Sequence, residues 1–222
     1  TNHAIREGSE KLCAYGANYL LVDGALDRTS SASPAISDAC VLSTGAVVSR
    51  DMNKAVDQTL YRASLFQLNA VTSPLLEEAW ESAETHRKPV IVSKEGQVRV
   101  LSDVSTAIGS GKAIAEAVEE ETTAIVIPGA LVTQTVMDVI QTARDYRNIT
   151  WMVGDATKIF IEHKDWLYFM RVGIVFKVRY EIKLKAITVN PYAPAGYFYD
   201  SERFVKALQS RATDLPIVDV MR

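Results

Sequence analysis

Short apolar runs alternate with longer stretches of helical spacing along most of the chain. Ala4 to Tyr15 reads as a helix that Gly16 closes. Tyr19 to Val22 is an apolar run of strand length, and Cys40 to Ser43 is a second, ending Thr44-Gly45-Ala46. From Asn53 to Asn69 the apolar positions Val56, Leu60, Ala63 and Phe66 recur at helical intervals. Ser73-Pro74 opens another helix, to about His86, with Ser73 as N-cap and Pro74 at N1. Pro89–Ser93 and Gln97–Leu101 flank Glu95-Gly96 as a hairpin.

A helix over Gly111–Glu120, a strand over Thr123–Ile127, a helix over Leu131–Tyr146 and a strand over Ile149–Val153 follow. Phe176 to Lys185 alternates strictly apolar and charged, which predicts one long strand over residues 174–189 with a solvated face. At Ala186 the phase shifts, so that strand either carries a bulge or enters a fully covered sheet. A loop from Asn190 to Tyr199, a helix from Ser201 and a strand over Leu215–Val220 complete the pattern. The expected fold class is α/β, a mostly parallel sheet with helices on both faces. It forms one domain over residues 1–222, with a subdomain boundary at Thr85–Lys88, where charged residues separate two α/β stretches. A helical pattern that begins at once after Thr1 suggests a further N-terminal segment, a strand and loop, ahead of this sequence.

Bulk properties narrow the function. The 222 residues are 48% hydrophobic and 23% charged with net charge −3, enough to build a core without disulfides or metal. An acidic balance gives no electrostatic case for nucleic acid. No apolar run approaches the roughly 20 residues a membrane helix needs, and the polar start is not a signal peptide. Cys13 and Cys40 sit in apolar-leaning segments and read as buried, reduced thiols of a cytoplasmic protein.

The candidate chemistry centres on Asn18–Pro34. A strand over Tyr19–Val22 would deliver Asp23-Gly24 to its carboxyl end, where open α/β sheets place their sites. Asp23 and Asp27 there suit Mg²⁺ or an oriented water; a loop carboxylate paired with Arg28 is the plainer reading. Arg28 with Ser30, Ser31 and Ser33 suits a phosphate or carboxylate, and a solvated loop fits as well. Gly24-Ala25, Gly45-Ala46 and Gly129-Ala130 each end a strand and are expected to line one crevice, unless they are plain strand-to-loop turns. Ser49, Arg50, Asp51 and Asn190 follow strands in the same way and join the candidate ligand-binding set, Asn190 offering both a donor and an acceptor.

Other motifs fail. Ile108-Gly109-Ser110-Gly111-Lys112-Ala113 lacks the glycine spacing and the hydroxyl of a phosphate loop and reads as a helix start. His3, His86 and His163 have no metal-ligand spacing, so no metal site is expected. No serine elbow or dinucleotide fingerprint occurs.

Three stretches, Leu20–Met52 (LLVDGALDRTSSASPAISDACVLSTGAVVSRDM), Lys185–Phe204 (KAITVNPYAPAGYFYDSERF) and Pro216–Met221 (PIVDVM), resemble the reactivase subunit associated with lysine 5,6-aminomutase. That resemblance implies an accessory role beside bacterial aminomutases that use adenosylcobalamin and pyridoxal phosphate. The factor exchanges damaged cobalamin with help from a separate ATPase subunit. It would meet cobalamin only through its partner enzyme and would bind the aminomutase and the ATPase; an oligomer is left open. Two alternatives stand beside it. One is a nucleotide- or phosphometabolite-binding α/β enzyme with Asp23 near Mg²⁺ and Arg28 on phosphate. The other is a structural subunit of a larger assembly.

Overall fold

A computed structural model of the chain describes residues 2–24 and 29–221. Asp27 and Arg28 therefore lie outside the described residues. The chain runs through α1 (Asn2–Ala14), β1 (Cys40–Gly45) and α2 (Met52–Phe66). It continues with α3 (Pro74–His86), β2 (Val90–Ser93), β3 (Val98–Val100), α4 (Gly111–Ala117), β4 (Thr122–Ile127), β5 (Leu131–Val132) and α5 (Thr133–Thr142). Then come β6 (Thr150–Val153), β7 (Ile159–Phe160), α6 (His163–Arg171) and β8 (Val175–Val178), and finally β9 (Leu184–Asn190), α7 (Ser201–Gln209) and β10 (Ile217–Asp219). The fold is α/β, and five of the seven strand ladders among the described residues are parallel. None of the described helices is long and apolar enough to cross a membrane.

The chain divides into two compact units, residues 1–67 with 182–222, and residues 68–181. The second is inserted between α2 and β9 of the first. Thr85–Lys88 falls inside it, joining α3 to β2.

In the first unit β9 is the central strand of a parallel sheet ordered β1-β9-β10. Leu42, Ile187, Val189 and Ile217 point to one face. There they pack with Ala55, Val56 and Ala63 of α2 and Phe204 and Leu208 of α7. Among the described residues helices thus cover this sheet on one face, not on both as the pattern predicts. Val41, Ser43, Ala186, Thr188 and Val218 make the other face, where Ser43 Oγ and Thr188 Oγ1 share a hydrogen bond of 2.9 Å. Val41 and Val218 remain about half exposed there, at 53% and 49%.

The second unit is built on a five-stranded sheet, β3-β2-β4-β6-β8. Its β2–β3 hairpin is antiparallel, and β4, β6 and β8 run parallel. Consecutive residues Ala124, Ile125, Val126 and Ile127 are all buried, so this strand is covered on both faces. Trp80 and Ala83 of α3 pack on Val90, Val92 and Met152. α4 comes so close to α5 that a Cβ on Gly111 would lie 2.4 Å from Asp138 Oδ2. The unit's two ends are clasped. Ala70 bridges Val178, Val71 N donates to Val178 O at 3.0 Å, and Ala70 N donates to Glu181 Oε1 at 2.8 Å.

Several expectations need correction. Tyr19–Val22 is neither a strand nor buried: it has no ladder partner among the described residues, and Tyr19 and Leu21 are 92% and 100% exposed. An apolar run becomes a strand only where another strand receives its backbone groups. The long strand over 174–189 is two strands, β8 and β9, in two different sheets. The phase shift at Ala186 falls inside β9 and is the bulge alternative: Cys40 pairs Leu184 while Val41 pairs Ala186, so Lys185 is the extra residue, and Leu184 and Ile187 both pack on the same core. Leu131–Tyr146 opens as strand β5, and its helix α5 ends at Thr142. Cys13 is exposed. Cys40 is half-buried, and burial raises its thiol pKa.

Candidate functional site at the carboxyl edge of the three-stranded sheet

Because β1, β9 and β10 are parallel, their carboxyl ends fall on one edge, the position that carries sites in open α/β sheets. Gly45 ends β1 directly opposite Asn190, the end of β9. A Cβ on Gly45 would stand 2.2 Å from the Asn190 carbonyl oxygen. Only glycine lets the two backbones approach this closely. The chain then turns through a short 3-10 helix, Ala46–Val48, to Ser49-Arg50-Asp51.

Asp51 is the N-cap of α2: its Oδ1 accepts from Asn53 N at 2.9 Å, while Ser49 Oγ accepts from Asp51 N at 3.0 Å. That cap already satisfies the helix-end donor an incoming anion would use. Below the edge, Thr44 Oγ1 lies 2.6 Å from Thr59 Oγ1, which donates to Ala55 O at 2.7 Å.

The loop after β9 is pinned to the loop after β1. Asn190 Oδ1 accepts from Tyr192 N at 2.9 Å, a side-chain turn that starts the loop. Tyr192 and Phe198 bridge antiparallel, and Gly196 takes a left-handed φ of 82° at the tip. Tyr197 then donates its hydroxyl to Ala46 O at 2.7 Å, and Tyr199 donates to Ser49 O. The Arg50 guanidinium stands 5.3 Å from the centre of the Tyr197 ring, a cation–π distance. Tyr199 is buried; that burial, with the Tyr197 phenol and the Asp51 carboxylate nearby, raises its pKa above the ordinary value. On β10, Asp219 accepts from Ser201 Oγ and, at 2.8 Å, from Met221 N.

Around these polar groups each of the three strand ends presents exposed apolar side chains: Val47 and Val48, then Tyr192 and Phe198, then Val220 and Met221. The Tyr192 and Phe198 rings lie 6.1 Å apart, and Phe198 is 71% exposed. The edge therefore offers an aromatic and aliphatic rim around Arg50 and the Asn190 amide. Among the described residues no group of three or more His, Cys, Asp or Glu is placed to hold a metal ion.

Ser49, Arg50, Asp51 and Asn190 are thus brought to one edge. Asp23, Gly24, Ser30 and Ser33 precede β1 and follow no strand of this sheet. Asp23 and Gly24 are exposed on irregular chain, and Asp27 and Arg28 lie outside the described residues. Ser30 belongs to the short 3-10 helix Thr29–Ala32. Ser33 is buried, its carbonyl accepting from Ile36 N and its Oγ from Ala35 N. Ser30 O accepts from Ser33 N at 3.2 Å, a turn contact within the segment. The three Gly-Ala turns do not share a sheet: Gly45 ends β1, whereas Gly129 follows β4 in the five-stranded sheet. Sequence reasoning missed Tyr197 and Tyr199 as site residues. Their signal is the aromatic run Tyr197-Phe198-Tyr199 in a loop otherwise rich in Pro and Ala.

No family model, curated protein or solved structure matches this chain.

Proposed function

We propose that this chain is an accessory, reactivase-type factor of a cobalamin-dependent aminomutase. It acts in the cytoplasm with a separate ATPase subunit, through protein contacts at the carboxyl edge of β1, β9 and β10. One observation carries this reading. The three stretches that resemble the reactivase family all belong to the first unit, and each contains one of the three strands that end at this edge. An exposed rim of Tyr, Phe, Val and Met around an arginine has the composition of a protein interface. Cobalamin stays with the partner enzyme; this chain supplies contact surface.

The test is co-purification with an aminomutase and its ATPase, together with recovery of activity by cobalamin-inactivated aminomutase in the presence of ATP. Phe198→Asp and Arg50→Glu are expected to abolish capture and recovery while leaving the melting temperature within 2–3 °C, roughly the effect of a neutral surface change. Failure of the unaltered chain to bind either protein overturns the proposal. The rival, a nucleotide- or phosphometabolite-binding enzyme, predicts a thermal shift with ATP or GTP plus Mg²⁺ that Asp23→Ala removes.

A further inference from the structure

The first unit holds two incomplete halves of one packing arrangement. Among the described residues its three-stranded parallel sheet leaves unpaired edges at β1 and β10, β1 being the one that the chain enters from the arm. The face carrying Val41 and Val218 has no helix over it among the described residues. Parallel sheets are almost never left open this way. Ahead of β1 the chain carries an arm with the complementary parts, the helix α1 and then the apolar run Tyr19–Val22. Gly16 (φ 95°) closes the helix, with Ala17 N donating to Leu12 O at 3.1 Å, so the arm turns sharply from helix to extended chain.

Among the described residues the arm's large apolar side chains are at most half-buried: Ile5, Leu20 and Val22 are partly covered, and the rest stand open. Tyr15 is 91% exposed, and Leu12, Tyr19 and Leu21 are exposed with it. α1 instead lies beside Pro34–Asp38, across an open groove of about 590 Å³ lined on the helix side by Arg6, Glu10 and Cys13. An extended apolar run without a sheet and a sheet lacking an edge strand and one cover thus occur in the same unit, and no ladder joins them among the described residues.

We infer that a second copy of this chain completes the sheet: each arm crosses to its partner, Tyr19–Val22 pairing with the β1 edge and α1 lying over the Val41–Val218 face. Exchange of an identical element between protomers is a low-cost route to a two-fold dimer. The area suffices. Burying Tyr15 and Tyr19 alone removes roughly 300–500 Å² per arm. With both arms and both receiving faces counted, the total reaches the roughly 1,200 Å² or more of a stable interface.

Sedimentation velocity of the whole chain at micromolar concentration tests this. The expected result is a dimer that Leu21→Asp, in the arm, and Val41→Lys, on the receiving face, each convert to monomer with unchanged circular dichroism. Mixing the two monomeric variants restores a heterodimer, because one intact arm then meets one intact face. A monomer at every concentration overturns the inference, whether the arm stays free or folds onto its own sheet. A dimer indifferent to both substitutions, or one that mixing does not restore, also overturns it.

Discussion

Replacing Gly45 by alanine isolates the cost of one backbone contact. Gly45 has φ 171° and ψ −171°, extended backbone that any residue adopts, so alanine brings no dihedral strain. The penalty is contact alone. The new Cβ would lie 2.2 Å from Asn190 O and 3.1 Å from Asn190 C, whereas carbon and carbonyl oxygen meet comfortably at about 3.3 Å. The obstacle is backbone of the neighbouring strand and cannot rotate away. β1 and β9 must separate by about 1 Å at this pair. Overpacking of this kind costs about 1–3 kcal/mol, and a weakened ladder hydrogen bond adds about 1 kcal/mol. A loss of about 2–4 kcal/mol is expected, or a drop of roughly 1 M in the urea midpoint.

Far-UV circular dichroism and amide exchange on β1 and β9 read the loss. Fluorescence of Trp80, Trp151 and Trp166 reads the inserted unit separately, because all three tryptophans lie between residues 68 and 181. Gly129→Ala is the control. It too lies in a Gly-Ala turn after a strand, yet nothing comes within 4 Å of its added Cβ. That change should be neutral or stabilising by up to about 1 kcal/mol. Should Gly45→Ala prove no worse than Gly129→Ala, the close-approach argument fails.

Three further outcomes are expected. Asp51→Ala removes the cap of α2 and should cost about 1 kcal/mol in thermal or urea unfolding. Gly111→Ala drives a Cβ to 2.7 Å from Asp138 Cβ, forcing α4 from α5; about 1–3 kcal/mol should disappear from the tryptophan-monitored transition. Tyr199 has its pKa raised in the fold, chiefly by burial. Its neutral form therefore contributes stability that is complete below the ordinary tyrosine pKa of about 10 and is lost as pH rises through the higher folded value. Unfolding measured up to alkaline pH should show this decline in the unaltered chain and a shallower one in Tyr199→Phe.

Local signals predicted local structure. Ser73 and Pro74 mark the start of α3, and Glu95-Gly96 marks the β2–β3 hairpin, because capping and turn chemistry act over a few residues. Tyr19–Val22 shows where this stops. Its composition is that of a strand, but a strand also needs a partner edge, and composition does not say where that edge is. The alternation over Phe176–Lys185 misled in the opposite way. It is continuous in sequence although the chain leaves one sheet after Val178 and joins another at Leu184. At the candidate site, glycine after β1 and asparagine after β9 stand out in sequence. Their direct pairing does not, nor do the two tyrosine hydroxyls that tie one loop to the other, since about 150 residues separate each donor from its acceptor. The case for Asp23 as a site residue rests on Tyr19–Val22 being a strand, and those residues form none.

The insertion of residues 68–181 also fixes an order of events during synthesis. β1 emerges from the ribosome long before β9, its sole ladder partner among the described residues. At about 5–20 residues per second the gap is roughly seven to thirty seconds. By its end the inserted segment, whose strands among the described residues pair only with one another, has everything required to fold, and its clasp at Ala70 and Val178 closes as its last strand appears. The nascent chain thus completes one body before Val41 and Leu42 find their partner, and for that interval a trigger-type chaperone or a neighbouring polysome has most to grip.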